Sequence, residues 1–236
     1  MAQPYSARSR AIEPFHVMAL LARANELQAA GHDVIHLEIG EPDFTTAEPI
    51  IKAGQAALSA GKTRYTAARG IPELRGAISG FYQQRYGLDI DPERIMITPG
   101  GSGALLLTSS LLVDPGKHWL LADPGYPCNR HFLRLVEGAA QLVPVGPDMR
   151  YQLTPDLVER YWDQDSVGAL VASPANPTGT VLSRDELAGL STAIKARNGH
   201  LVVDEIYHGL TYGTDAASVL EVDDSAFVLN LSLIHI

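Results

Sequence analysis

The sequence predicts an α/β domain of three layers, a mainly parallel sheet with helices on both faces. Three observations carry this expectation. Beyond Asp91, short apolar runs at Ile95 to Thr98, Trp119 to Ala122, Gln141 to Val145, Val167 to Ala172, Leu201 to Asp204 and Phe227 to Leu229 alternate with helical patterns. Such alternation produces parallel strands joined by crossover helices. The runs are apolar at consecutive positions, as strands covered on both faces must be. A chain of 236 residues, 46% hydrophobic and 19% charged, is also long enough and apolar enough to bury a core.

The region before this alternation reads as helix, strand and two further helices. Phe15, Val17, Met18, Leu20, Leu21 and Leu27 recur at mostly helical spacing, which predicts a helix over Glu13 to Ala30 stopped by Gly31. Val34 to Ile39 reads as a short strand leading into the turn-rich Gly40-Glu41-Pro42-Asp43-Phe44, where backbone groups can approach a ligand closely. Helices follow over Glu48 to Ala60 and Pro72 to Tyr86, the second with proline in its first turn. The expected organisation is an N-terminal arm and part of a small lobe over 1–45, a large domain over 46–230, and an atypical tail over 231–236.

Charge and cysteine content narrow the function classes. Acidic residues exceed basic ones, 27 to 18, and a net charge of -9 has the wrong sign for gripping nucleic acid or anionic lipid. A small-molecule partner is expected. The single cysteine, Cys128, excludes an internal disulfide, and the sequence has neither a bilayer-length apolar run nor a signal-peptide pattern. A cytoplasmic protein without a membrane partner is therefore expected.

The candidate chemistry falls at the ends of predicted strands, where ligands gather in open parallel sheets. Thr98-Pro99-Gly100-Gly101-Ser102-Gly103-Ala104 joins a strand to an apolar helix expected to begin near Ala104. Glycines, free helix N–H groups and the Ser102 hydroxyl suit a phosphate. Neither a dinucleotide fingerprint nor a P-loop fits, because Leu106 replaces the last glycine of the first and the second needs a Gly-Lys-Ser/Thr triplet. Gly100-x-Ser102-x-Ala104 also has the form of a relaxed nucleophile elbow, with Asp204 and His208 as its triad partners and Ser102 as the nucleophile of a serine hydrolase. That reading lacks an oxyanion segment of the HGGG type. Ser173-Pro174-Ala175-Asn176-Pro177-Thr178-Gly179 fixes an amide side chain, Asn176, at a strand end. Asp204-Glu205-Ile206-Tyr207-His208 ends another strand with a carboxylate that needs a cationic partner, followed by a phenol on Tyr207. A metal site from His200, Asp204 and His208 fits poorly, since a spacing of four suits a helix and these residues read as strand and turn.

Taken in order, Gly40-Glu41-Pro42-Asp43-Phe44, Tyr65, Gly100-Gly101-Ser102, Asp123-Pro124-Gly125-Tyr126-Pro127, Asn176-Pro177-Thr178-Gly179 and Asp204-Glu205-Ile206-Tyr207 resemble the class I/II aminotransferases. These are fold type I enzymes dependent on pyridoxal 5'-phosphate, and the resemblance runs from near residue 13 to Asn230. It implies that Gly100, Gly101 and Ser102 hold the cofactor phosphate, Tyr126 stacks on the ring, Asn176 and Tyr207 bond its phenolic oxygen, and Asp204 pairs with the ring nitrogen. It further implies that Tyr65 reaches the phosphate of a neighbouring subunit in a homodimer, and that the Gly40 backbone faces the substrate carboxylate. Amino acids and 2-oxo acids are the implied substrates. A carbon–sulfur lyase of the same fold would share nearly every motif.

The sequence departs from the family after Asn230. The Schiff-base lysine is expected near Ile234, within Asn230-Leu231-Ser232-Leu233-Ile234-His235-Ile236, and the lysines present are Lys52, Lys62, Lys117 and Lys195. On this reading the chain is interrupted before the catalytic lysine and the C-terminal domain, and the 236-residue form is expected to be inactive.

Overall fold

The computed structural model describes residues 5–13, 15–40 and 44–232. Two compact units emerge, one comprising residues up to Tyr65 and from Ser232 onward, the other Thr66–Leu231. The first contains α1 (Ala7–Arg10), α2 (His16–Ala29) and α3 (Glu48–Ser59). The last two occupy the helices expected over Glu13 to Ala30 and Glu48 to Ala60. The strand expected over Val34 to Ile39 does not form; the segment is irregular, with Ile35 81% and Leu37 88% exposed. A strand is stable only through a neighbour's hydrogen bonds, and none pairs with this one among the described residues.

The second unit opens with α4 (Pro72–Tyr86), which has the expected limits. Proline near its start lacks an N–H that would go unpaired there, and Gly87 closes it at φ 70°. The strand expected over Ile95 to Thr98 is also absent. Ile97 N–H donates to the Arg69 carbonyl, 3.1 Å away, and the Ile97 side chain packs over Gly70, where a Cβ would lie 2.4 Å from Cγ1. The apolar run therefore docks against a turn instead of joining the sheet.

Strands β1 (His118–Asp123), β2 (Ala139–Pro144), β3 (Ser166–Ala172), β4 (His200–Asp204) and β5 (Phe227–Leu229) match the remaining expected strands to within two residues. They form a wholly parallel sheet in the order β2-β1-β3-β4-β5. Helix α5 (Gly100–Leu112) precedes β1, and α6 (Asn129–Leu135), α7 (Pro155–Tyr161) and α8 (Arg184–Lys195) run between successive strands from β1 to β4.

The strand side chains alternate between two cores. Leu120, Ala169, Val171, Leu201 and Val203 pack with Leu157 and Val158 of α7 and Leu187, Leu190 and Ile194 of α8. Trp119, Leu121, Leu170, Val202 and Leu229 pack on the opposite face with Leu105 of α5 and Leu133 of α6. This is the three-layer α/β arrangement that the doubly apolar strands predict. β3 fits between its neighbours because position 168 is glycine: a Cβ there would lie 2.5 Å from the His200 carbonyl oxygen and 2.9 Å from Trp119 Nε1.

Candidate functional site

The sheet order places a crevice where ligands collect. From β1 the chain passes outward to β2 and then returns to the other side of β1 as β3, so the carboxyl ends of β1 and β3 flank the topological switch point. A cavity of about 220 Å³ lies there, lined among others by Asp123, Tyr126 and Arg130 beyond β1 and by Ala172 and Asn176 beyond β3. The turn carrying Tyr126 is tight; a Cβ on Gly125 would fall 2.5 Å from the Ala122 carbonyl oxygen. Burial pushes the Tyr126 phenol up, and the adjacent Cys128, Tyr207 and Asp204 push in the same direction.

Asp204 sits at the carboxyl end of β4, in register with Ala172 of β3 and Leu229 of β5. Its Oδ1 accepts the Ile206 N–H at 3.2 Å, and no Lys, Arg or His forms an ion pair with it among the described residues. Burial pushes its carboxyl up to about 6, against the lowering effect of the Ile206 N–H. Among the described residues, this carboxylate at the end of a buried strand thus has no cation beside it. Beside it, Asn176 Nδ2 donates to the Tyr207 phenol oxygen at 3.4 Å. Tyr126, Asn176, Asp204 and Tyr207, each half-buried, come together at three adjacent strand ends.

The glycine-rich segment is not the loop that the sequence led us to expect. Helix α5 begins at Gly100, four residues before Ala104, so Gly100, Gly101 and Ser102 form its first turn. Gly100 has φ 71°, and Thr98 Oγ1 donates to its carbonyl at 2.9 Å. The Gly100 N–H donates to the Thr98 carbonyl at 2.8 Å, and Pro99 offers no side chain to cap the amides that follow it. A Cβ on Gly100 or Gly101 would meet nothing within 4 Å, whereas one on Gly103 would meet Pro99 Cδ at 2.9 Å. Gly103 is therefore a packing glycine, and Gly100 and Gly101 leave open space in front of the helix. These features fit an anion at the helix start.

Tyr65 and Gly40 lie in the first unit, both exposed. Ile234, where the lysine is expected, lies outside the described residues, as do Glu41, Pro42 and Asp43 of the Gly40 segment. No hydrogen bond joins Ser102 to His208 among the described residues; instead His208 Nδ1 bonds the Tyr86 hydroxyl at 2.7 Å. His200 packs edge-on against Phe227.

Sequence reasoning missed Glu205. Its side chain is fully buried, its Oε1 accepts the Val219 N–H at 2.7 Å and the Ser218 hydroxyl at 3.1 Å, and burial pushes its carboxyl up to about 7. Its neighbour Asp204 masked it, because one carboxylate ending an apolar strand was enough to account for the motif.

Comparison with known proteins assigns the chain to a family and bears on its fold. The family model for aminotransferase class I and II matches residues 32–232, and the chain belongs to that family. Members of the family depend generally on pyridoxal phosphate. Among curated relatives, it is 40% identical over 201 residues to the valine–pyruvate aminotransferase of Mycobacterium tuberculosis, covering 85% of this chain and 52% of the relative. It is 39% identical to the (5-formylfuran-3-yl)methyl phosphate transaminase of Methanocaldococcus jannaschii, covering 90% of this chain and 54% of the relative. Among solved structures, an aminotransferase from Mycobacterium tuberculosis superposes with a TM-score of 0.92 at 36% identity, over 98% of this chain and 59% of that one. Aspartate aminotransferase from Thermus thermophilus with maleate gives 0.92 at 32% identity, over 97% and 60%. The chain spans about half the length of the curated relatives it matches. Among the described residues, no helix is long and apolar enough to cross a membrane.

Proposed function

We propose that this protein binds pyridoxal 5'-phosphate and serves an amino-acid aminotransferase, moving an amino group from an amino acid to a 2-oxo acid. The observation that carries the reading is Asp204, a carboxylate at the end of a buried strand that has no cation beside it among the described residues. A protonated pyridine nitrogen is the partner it lacks. The cofactor supplies an electron-accepting ring that stabilises negative charge on the substrate's α-carbon. Asp204 holds the proton on the ring nitrogen, and the Asn176–Tyr207 pair presents a phenol and an amide to the ring oxygen. Tyr126 covers the ring face and keeps water from it. Gly100, Gly101 and Ser102 receive the phosphate on the open start of α5, where uncapped amides and the helix dipole favour negative charge. For the first unit, Gly40 is proposed to face the substrate carboxylate and Tyr65 to reach the phosphate of a second subunit.

The proton carried to and from the substrate needs an amine, and the described lysines are poorly disposed to supply it. Of the four, Lys52 pairs with Glu48, Lys117 with Asp165 and Lys195 with Asp223, and Lys62 is exposed in the irregular stretch before Tyr65. The 236-residue chain is accordingly proposed to bind the cofactor without forming a covalent bond to it and to be inactive alone. The test is to incubate the full-length gene product with pyridoxal phosphate, a panel of amino acids and 2-oxoglutarate or pyruvate, while following both products. A new oxo acid matched by a new amino acid supports transamination. Release of ammonia with pyruvate would replace it with lyase chemistry, and labelling of Ser102 by a phosphonate, with indifference to pyridoxal phosphate, would replace the cofactor reading altogether.

A further inference from the structure

A second polar cluster lies directly behind the Asp204–Tyr207 turn, and the proposed chemistry does not use it. Glu205 and His208 are both buried, at 0% and 7% exposure, with His208 Nδ1 3.7 Å from Glu205 Oε2. Burial lowers His208 to about 4, so the ring is neutral at physiological pH. The Tyr86 hydroxyl oxygen accepts Arg85 Nε–H at 3.2 Å and shares a hydrogen bond with His208 Nδ1 at 2.7 Å. Helix α4 is thereby bonded to the turn after β4. Glu205 fastens the same turn on two further sides: its N–H donates to the Leu229 carbonyl at 2.8 Å, and its carboxylate takes the Val219 N–H and Ser218 hydroxyl. The four-residue segment from Asp204 to Tyr207 is thus interleaved with anchors at 205 and 208.

We infer that Tyr86, His208 and Glu205 are positioning residues that hold Asp204 and Tyr207 in the geometry their cofactor contacts require. The physical reason is the alternation of roles along one turn. Glu205 and His208 face the interior and reach three other segments, so the intervening backbone has no freedom to rotate Asp204 or Tyr207 away from the site. Glu205 Oε2 and His208 Nε2 have no hydrogen-bond partner among the described residues, but Glu205 Oε1 and His208 Nδ1 are bonded, and breaking either bond would strand a further desolvated group at a cost, so the anchors favour a single arrangement of the turn. The inference rests on the proposed cofactor reading for its purpose, but not for its test.

Tyr86→Phe deletes one hydroxyl and leaves the ring packing of α4 in place. In the cofactor-free chain, amide hydrogen exchange at Ile206 and His208 is expected to quicken by about tenfold, the loss of one hydrogen bond of ordinary net strength, while Val202 in β4 stays unchanged. A merely structural role would speed all of these amides together or none of them, and either result overturns the inference. Glu205→Gln keeps the acceptor for Val219 N–H and is expected to rescue what Glu205→Ala loses; if Glu205→Ala does not fold, Tyr86→Phe alone decides. Where the unsubstituted chain binds pyridoxal phosphate, Tyr86→Phe should also weaken binding about tenfold and diminish the circular dichroism of the bound chromophore. Unchanged binding and dichroism would count against positioning. Failure of the unsubstituted chain to bind sinks the cofactor reading instead, and the exchange experiment still reports on the turn.

Discussion

At the scale of single residues, Asp204 and Glu205 are neighbours with opposite fates. Asp204 faces a site and has only one backbone donor, whereas Glu205 turns inward and has two donors. Because burial raises the Asp204 carboxyl to about 6, the cofactor-free protein carries a penalty for its charge above that pH. The penalty disappears as pH falls through 6 towards the ordinary carboxylate range, where folded and unfolded states are both protonated. Asp204→Asn keeps an acceptor for Ile206 N–H but removes the charge. We expect it to stabilise the cofactor-free chain by about 1 to 3 kcal/mol at pH 8, with the gain shrinking towards pH 4. Urea denaturation at the two pH values checks this, and equal stability of both proteins at pH 8 would contradict it. The sequence made Asp204 legible because a carboxylate ending an apolar strand has few explanations. Glu205 was not legible, since its burial depends on Ser218 and Val219 folding back from farther along the chain.

Among the elements, helix α5 separates stability from binding. Gly101 sits within its first turn, has ordinary helical backbone and faces open space, so nothing in the packing requires a glycine there. Gly101→Ala should raise stability by up to about 1 kcal/mol through helix propensity. If the helix start receives a phosphate, the added methyl should weaken pyridoxal phosphate binding roughly tenfold, as if one hydrogen bond were lost. A denaturation midpoint and a cofactor titration on the same variant check the pair of effects; a gain in both would remove α5 from the site. The glycine run was readable as an anion cradle, but not its position. Only the structure shows that the helix starts at Gly100 and that Gly103 serves packing against Pro99. The strand candidates divide for a related reason. Those between Trp119 and Leu229 pair within the sheet, while Val34 to Ile39 and Ile95 to Thr98 have the composition of strands without a ladder to join. Apolar pattern reports a wish to be buried, and hydrogen-bonded neighbours decide the form burial takes.

For the whole molecule, the division at Tyr65 and Thr66 runs through an exposed, irregular stretch containing Lys62 and Arg64. Exposed connecting segments of this kind are where proteases cut first. Brief trypsin digestion should cleave after Lys62 or Arg64 before it cleaves after Lys117 or Lys195, both ion-paired beside the sheet. Mass spectrometry of the first fragments checks this, and an initial cut between Lys117 and Lys195 would contradict it. The layered architecture was the most legible level of all, because doubly apolar strands at crossover spacing admit few arrangements. Cofactor titration of the chain alongside Asp204→Asn, followed by absorbance, bears most directly on the proposed site. Saturable binding of pyridoxal phosphate that weakens roughly 10- to 100-fold in the variant, the loss of one charge-assisted hydrogen bond, is the expected result. Equal affinity in the two proteins would show that the ring nitrogen does not meet this carboxylate.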